Sequence, residues 1–92
     1  MAVTTVSIRL ALRKIAEITC GMSPKVISVT ALGDPTHRVF AASVPLEYHA
    51  EVCSYLAKLV GIHVPVTGAP LLLTSEQASA VVELALQRDV SY

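Results

Sequence analysis

KVISVTALGDPTHRVFAASV, residues 25–44, is the stretch that decides the fold. Lys25–Leu32 is rich in β-branched residues and has no helical period, so it reads as a strand. Gly33-Asp34-Pro35-Thr36 is a turn, because Pro presets φ at the second turn position and Asp can bond its own backbone. Arg38–Val44 then returns as the second strand. A hairpin at this position commits the chain to an antiparallel sheet, and the segments on either side must cover it.

Upstream, Thr5–Cys20 is predicted as a helix. Ile8, Ala11, Leu12, Ile15, Ile18 and Met22 fall on one side of a 3.6-residue wheel, and Gly21 followed by Pro24 supplies the stop. Val6, Ile8, Leu10 and Leu12 also alternate as a strand would, but the Ala, Arg, Lys and Glu content favours helix. That choice puts Leu10 on the wet face, among Arg13, Lys14 and Glu17.

Downstream, Pro45 suits the first turn of a helix. Leu46–Val60 continues that helix and Gly61 closes it. Glu47, Glu51, Ser54 and Lys58 form a polar stripe of roughly 60°, which leaves an apolar arc of roughly 220° where about 100° suffices for docking on one sheet. Leu46, Ala50, Cys53, Leu56, Ala57 and Val60 make the expected core face. Tyr48, Val52, Tyr55 and Leu59 make a surplus stripe beside it. Tyrosine is enriched at interfaces, so this stripe is a candidate apolar contact surface. The alternative is that the first or last helix packs over it within the monomer.

Ile62–Thr67 alternates and carries Pro65, which suits an edge strand. After a Gly68-Ala69-Pro70 turn, Leu71–Leu73 reads as a short fourth strand. Thr74 caps a last helix, Ser75 to about Arg88, with Gln77 completing a capping box. Its apolar side is Ala78, Val81, Val82, Leu84, Ala85 and Leu86. The order α-β-β-α-β-(β)-α implies an α+β fold in two layers, a mostly antiparallel sheet of three to four strands with helices on one face.

Ninety-two residues suit one domain spanning 1–92. Hydrophobic residues make up 53% and charged residues only 15%, against a usual charged share of about 25%. A domain this small has limited interior, so the apolar surplus points to self-association or to a partner-binding patch, unless small residues simply sit exposed one at a time. Net charge is zero but unevenly spread. Residues 1–40 hold five basic and two acidic side chains, residues 41–92 two basic and five acidic. The balance argues against a general electrostatic grip on free nucleic acid. No membrane-length apolar run and no secretory leader are apparent, so a cytoplasmic, reduced protein is expected.

Chemistry-bearing constellations are missing from the pattern. His49 and Cys53 stand one helical turn apart, the spacing of a two-point metal clip, but further ligands are lacking and Cys53 falls on the core face. Glu47 and Glu51 read as a solvated stripe rather than an acid/base pair. The glycines mark turns and helix ends, not a phosphate loop. No catalytic residue, metal or cofactor is therefore expected. The remaining candidates are basic: Arg9, Arg13 and Lys14 on the first helix, joined through the hairpin by Lys25 and Arg38. They could meet an RNA backbone or an acidic protein surface, or be a solvated face balanced by Glu17. A lone Phe and the lack of Trp weaken any base-stacking mode.

In its length, its lack of catalytic motifs and its apolar, charge-split make-up, the chain resembles the anti-CRISPR inhibitors, small single-domain proteins encoded by bacteriophages. The resemblance implies stoichiometric binding to a Cas protein assembly, a ribonucleoprotein whose guide RNA would also be within reach, with no transferable site residue. A small homo-oligomeric structural or regulatory subunit fits the same features.

Overall fold

Thr4 starts the first helix by reciprocal capping. Its Oγ1 accepts the Ser7 N–H at 3.1 Å, and the Thr4 N–H is donated to Ser7 Oγ at 3.0 Å. The structure is a computed structural model that describes residues 3–21, 27–66 and 68–89. Helix α1 spans Thr5–Cys20 and ends at Gly21, whose φ of 76° lets its N–H reach the Glu17 carbonyl at 2.9 Å. Ile8, Ala11, Leu12 and Ile15 are buried as expected, and Leu10 is exposed. Ile18, expected inside, is 42% exposed, and Ala16 takes its place in the core. Met22 lies outside the described residues.

Strands β1 (Ser28–Leu32) and β2 (Val39–Ser43) form the antiparallel hairpin, paired without a bulge from Ser28↔Ser43 to Leu32↔Val39. In the turn, the Asp34 carboxylate accepts the backbone N–H groups of His37 at 2.8 Å and Thr36 at 3.1 Å and the Thr36 hydroxyl at 2.8 Å. The Thr36 hydroxyl and the His37 backbone bond hold its carboxyl below the ordinary value of 3.8. Both strands are shorter than the sequence suggests: Ile27, Arg38 and Val44 flank the ladder, and Lys25 and Val26 lie outside the described residues.

Helix α2 runs Leu46–Leu59, with Pro45 just outside its first turn and no side-chain cap. Its buried residues are His49, Val52, Cys53 and Leu56. The expected core face is therefore corrected: Leu46 is 67% exposed and Ala50 is exposed. The inward side is turned by about 60° from that expected face and lies opposite the polar stripe, at the middle of the whole apolar arc. His49 lies within that inward side, where its Nε2 donates to the Ala69 carbonyl at 3.2 Å.

The predicted strand at Ile62–Thr67 is not formed. Residues 62–66 are irregular, Thr67 lies outside the described residues, and only Ile62 of the described part is buried. The place beside β2 belongs to β3 (Leu71–Thr74), registered Phe40↔Leu73 and Ala42↔Leu71. Pro65, lacking an N–H, has nothing to donate to a ladder. Helix α3 (Ser75–Asp89) follows directly, capped as predicted by Thr74 and Gln77 at 3.2 and 3.0 Å.

The result is an α-β-β-α-β-α protein of the α+β class with an open three-stranded antiparallel sheet ordered β1-β2-β3. Helix α1 lies over β1, α3 over β2 and β3, and α1 packs against both α3 and α2. The core lies between these helices and the inner sheet face of Phe40, Ala42, Leu71 and Leu73. On α3, Ala78, Val81 and Ala85 are buried, whereas Leu86, expected inside, is 60% exposed.

Candidate functional site

Every second residue of the sheet points away from the helices. Register sets Thr30, Ala41 and Leu72 in one row across the three strands and Leu32, Val39 and Thr74 in the next. None of these six is buried: Leu32 is 46% exposed and Leu72 57%. Ser28 and Ser43 extend the surface at one end. The three strand sequences, SVTAL, VFAAS and LLLT, contain no charged residue. An outer sheet face usually alternates toward charged or strongly polar side chains. This one is uncharged and lined with aliphatic and small hydroxyl groups. Sequence reasoning did not single it out, although the charge-free alternation of Ser28–Leu32 and Val39–Ser43 was a usable signal.

The predicted basic surface is only partly assembled. Arg9 and Arg13 are exposed on α1, one turn apart. Lys14 is half-buried and lines a groove of about 380 Å³ between α1 and α3 with Leu10, Val82 and Leu86. Lys25 lies outside the described residues. Arg38 donates its guanidinium N–H to the Gly33 carbonyl at 3.0 Å and lines a hollow with Val3, Pro35, Phe40 and Glu76. Arg9 faces another hollow, with Ile27, Ser28 and Val29.

The Tyr48–Val52–Tyr55–Leu59 stripe does not form a continuous exposed surface. Val52 is fully buried, Tyr48 and Tyr55 are half-buried against the core, and only Leu59 is open, at 51%. Tyr55 buries its hydroxyl, which has no hydrogen-bond partner among the described residues. The stripe is absorbed within the monomer because α2 turns this side toward the core.

The His49–Cys53 pair is close, with Sγ 3.8 Å from Nε2 and 4.0 Å from Nδ1. Among the described residues no group of three His, Cys, Asp or Glu side chains converges in a metal-binding arrangement. Burial raises the Cys53 thiol above its ordinary 9.0 and so suppresses the reactive thiolate. Cys20 is only half-buried. A disulfide-exchange reagent at neutral pH is thus expected to titrate Cys20 alone in the folded protein and both thiols in denaturant. Equal native rates would contradict the packing of Cys53.

Among the described residues no helix is long and apolar enough to cross a membrane. Compared with known proteins, the chain matches no family model, no curated protein and no solved structure.

Proposed function

We propose that this chain is a non-catalytic protein-binding module that acts by covering part of a partner's surface. The observation that carries the reading is the uncharged outer face of the sheet. Aliphatic side chains such as Leu32 and Leu72 gain by leaving water, roughly 25 cal/mol per Å² of apolar surface covered. No carboxylate or ammonium on the strands has to be desolvated for that contact to form.

The test replaces Leu32 and Leu72 together by Lys. Both side chains point to solvent, so the melting temperature should stay within a few degrees of wild type, while partner binding falls at least about tenfold. Sedimentation of the wild type checks the homo-oligomer alternative: concentration-dependent association abolished by the same pair would make the partner a second copy. Retained binding by a folded Lys variant would remove the sheet face from the function.

A finer reading takes the partner to be a Cas protein assembly and the chain to be a phage-encoded inhibitor. It rests on the resemblance in length and composition alone. Expression in a host whose CRISPR immunity targets a phage should then restore plaques, and the Leu32→Lys, Leu72→Lys variant should not. Undiminished immunity across the CRISPR types assayed would end that reading and leave the general one standing.

A further inference from the structure

We infer that the outer edge of β1 accepts an extended, carboxylate-bearing peptide segment as a fourth strand, with Arg9 as the charge that selects it. This rests on the protein-binding reading above and specifies its mode.

The hydrogen-bond pattern defines the edge. Thr74 donates its N–H to Gln77 Oε1 at 3.0 Å, so Val39↔Thr74 is a non-hydrogen-bonded pair of the β2–β3 ladder. Alternation along antiparallel strands then turns Val39 and Ala41 toward β1, and aims the N–H and C=O groups of Val29 and Ala31 away from β2. Natural edges are usually blunted by Lys, Pro, a bulge or an inward charge. β1 has none of these: its sequence is SVTAL, paired in five consecutive steps. The opposite edge is blunted, since Pro70 precedes β3 and the Thr74 N–H is engaged by Gln77. Ala31, on the helix side of the sheet, is nonetheless exposed, so the inner layer is unfinished beside β1.

The same place carries the charge. Thr5, Val6 and Arg9 of α1 face Ile27, Ser28 and Val29 across a hollow of about 320 Å³. A strand added about 4.8 Å beyond β1 would run beneath Val6 and Arg9. Its inward side chains would enter that hollow, with Arg13 one turn further along. A second copy pairing through β1 would set the two Arg9–Arg13 faces against each other, a like-charge contact. An acidic segment meets them with opposite sign. Backbone bonds then supply the affinity and the alternate side chains the selectivity, as in other strand-addition complexes.

The experiment uses the full chain and three probes: a capped eight-residue Thr/Val peptide with two Glu on one face, its twin with Lys for Glu, and a twelve-nucleotide oligouridine. Nitrogen–proton correlation spectra should show the Val29 and Ala31 amides moving downfield with the Glu peptide and much less with the Lys twin. Ala31→Pro removes one outward N–H at a position where the β1–β2 ladder does not use it. It should abolish the response in a protein that still melts cooperatively. Should that variant fail to fold, Arg9→Glu serves instead and should weaken the Glu peptide about fivefold and favour the Lys twin. Equal response to both peptides, silent Val29 and Ala31 amides, or oligouridine acting in place of the peptide would each overturn the assignment. If Leu32→Lys, Leu72→Lys loses the partner while Ala31→Pro keeps it, the edge mode falls and the protein-binding reading survives. If neither variant matters and no peptide binds, both fall.

Discussion

Replacing Tyr48 and Tyr55 together by Ala is expected to remove about 3–5 kcal/mol of stability, a large share of a small domain's margin of about 5–15 kcal/mol. Truncating a large aromatic costs about 3–5 kcal/mol when burial is complete, and these two are half-buried against the core. They sit seven residues apart, about 10 Å along α2, so their effects should add with little coupling. A thermal melt reads the loss directly. Had the stripe been an exposed contact surface, the same pair would leave the melt unchanged and abolish binding. Tyr55→Phe is the control, because it keeps the ring and removes only a hydroxyl that has no partner among the described residues. That change should leave stability level or raise it by about 1 kcal/mol. A double Ala variant that melts like wild type would show that the tyrosines do not pack as described.

Gly33→Ala should have the next largest effect. Gly33 has a φ of 79°, a region that costs an L-residue about 1–2 kcal/mol. An added Cβ would also stand 2.3 Å from the His37 carbonyl oxygen, a backbone atom that cannot rotate away. The turn would have to open against the Asp34 bonds and the Arg38–Gly33 bond that hold it. A total of about 2–4 kcal/mol follows, or a melting temperature lowered by roughly 10–20 °C for a domain of this size. Gly21→Ala separates the two causes. Its φ is 76°, yet an added Cβ meets nothing within 4 Å, so only the same conformational cost of about 1–2 kcal/mol applies. Equal losses at the two positions would mean that the close approach to His37 is not real.

Much of the fold was legible because local signals and the final structure agree. The hairpin, α1 with its Gly21 stop, and α3 with its Thr74–Gln77 cap are all set by residues within a few positions of one another. Such signals are short-range chemistry: φ preferences, side-chain caps and apolar period. The failures lie where the deciding contact is distant. Ile62–Thr67 alternates like a strand, but β2 pairs with Leu71–Thr74 instead. Ile18 and Leu86 sit on the apolar wheels of their helices and stay largely exposed, because the wheel cannot say where a neighbouring helix ends.

The site follows the same division. The exposure of Arg9 and Arg13 could be read from the wheel of α1, since charges on a helix with one apolar face turn outward. That Arg38 would spend its guanidinium on the Gly33 carbonyl of its own turn could not.

By itself, then, the sequence determined the α+β class, the hairpin, the three helices and the charge on α1, since each depends on residues close along the chain. The tertiary structure decided which part of the broad apolar arc of α2 packs inward, burying Val52 and His49 and leaving Leu46 and Ala50 exposed. It also decided which surfaces are left open. Strand pairing chooses the outer sheet face, and among the described residues no strand pairs with the edge of β1 beside Arg9, because packing is a relation between distant segments that no local pattern records.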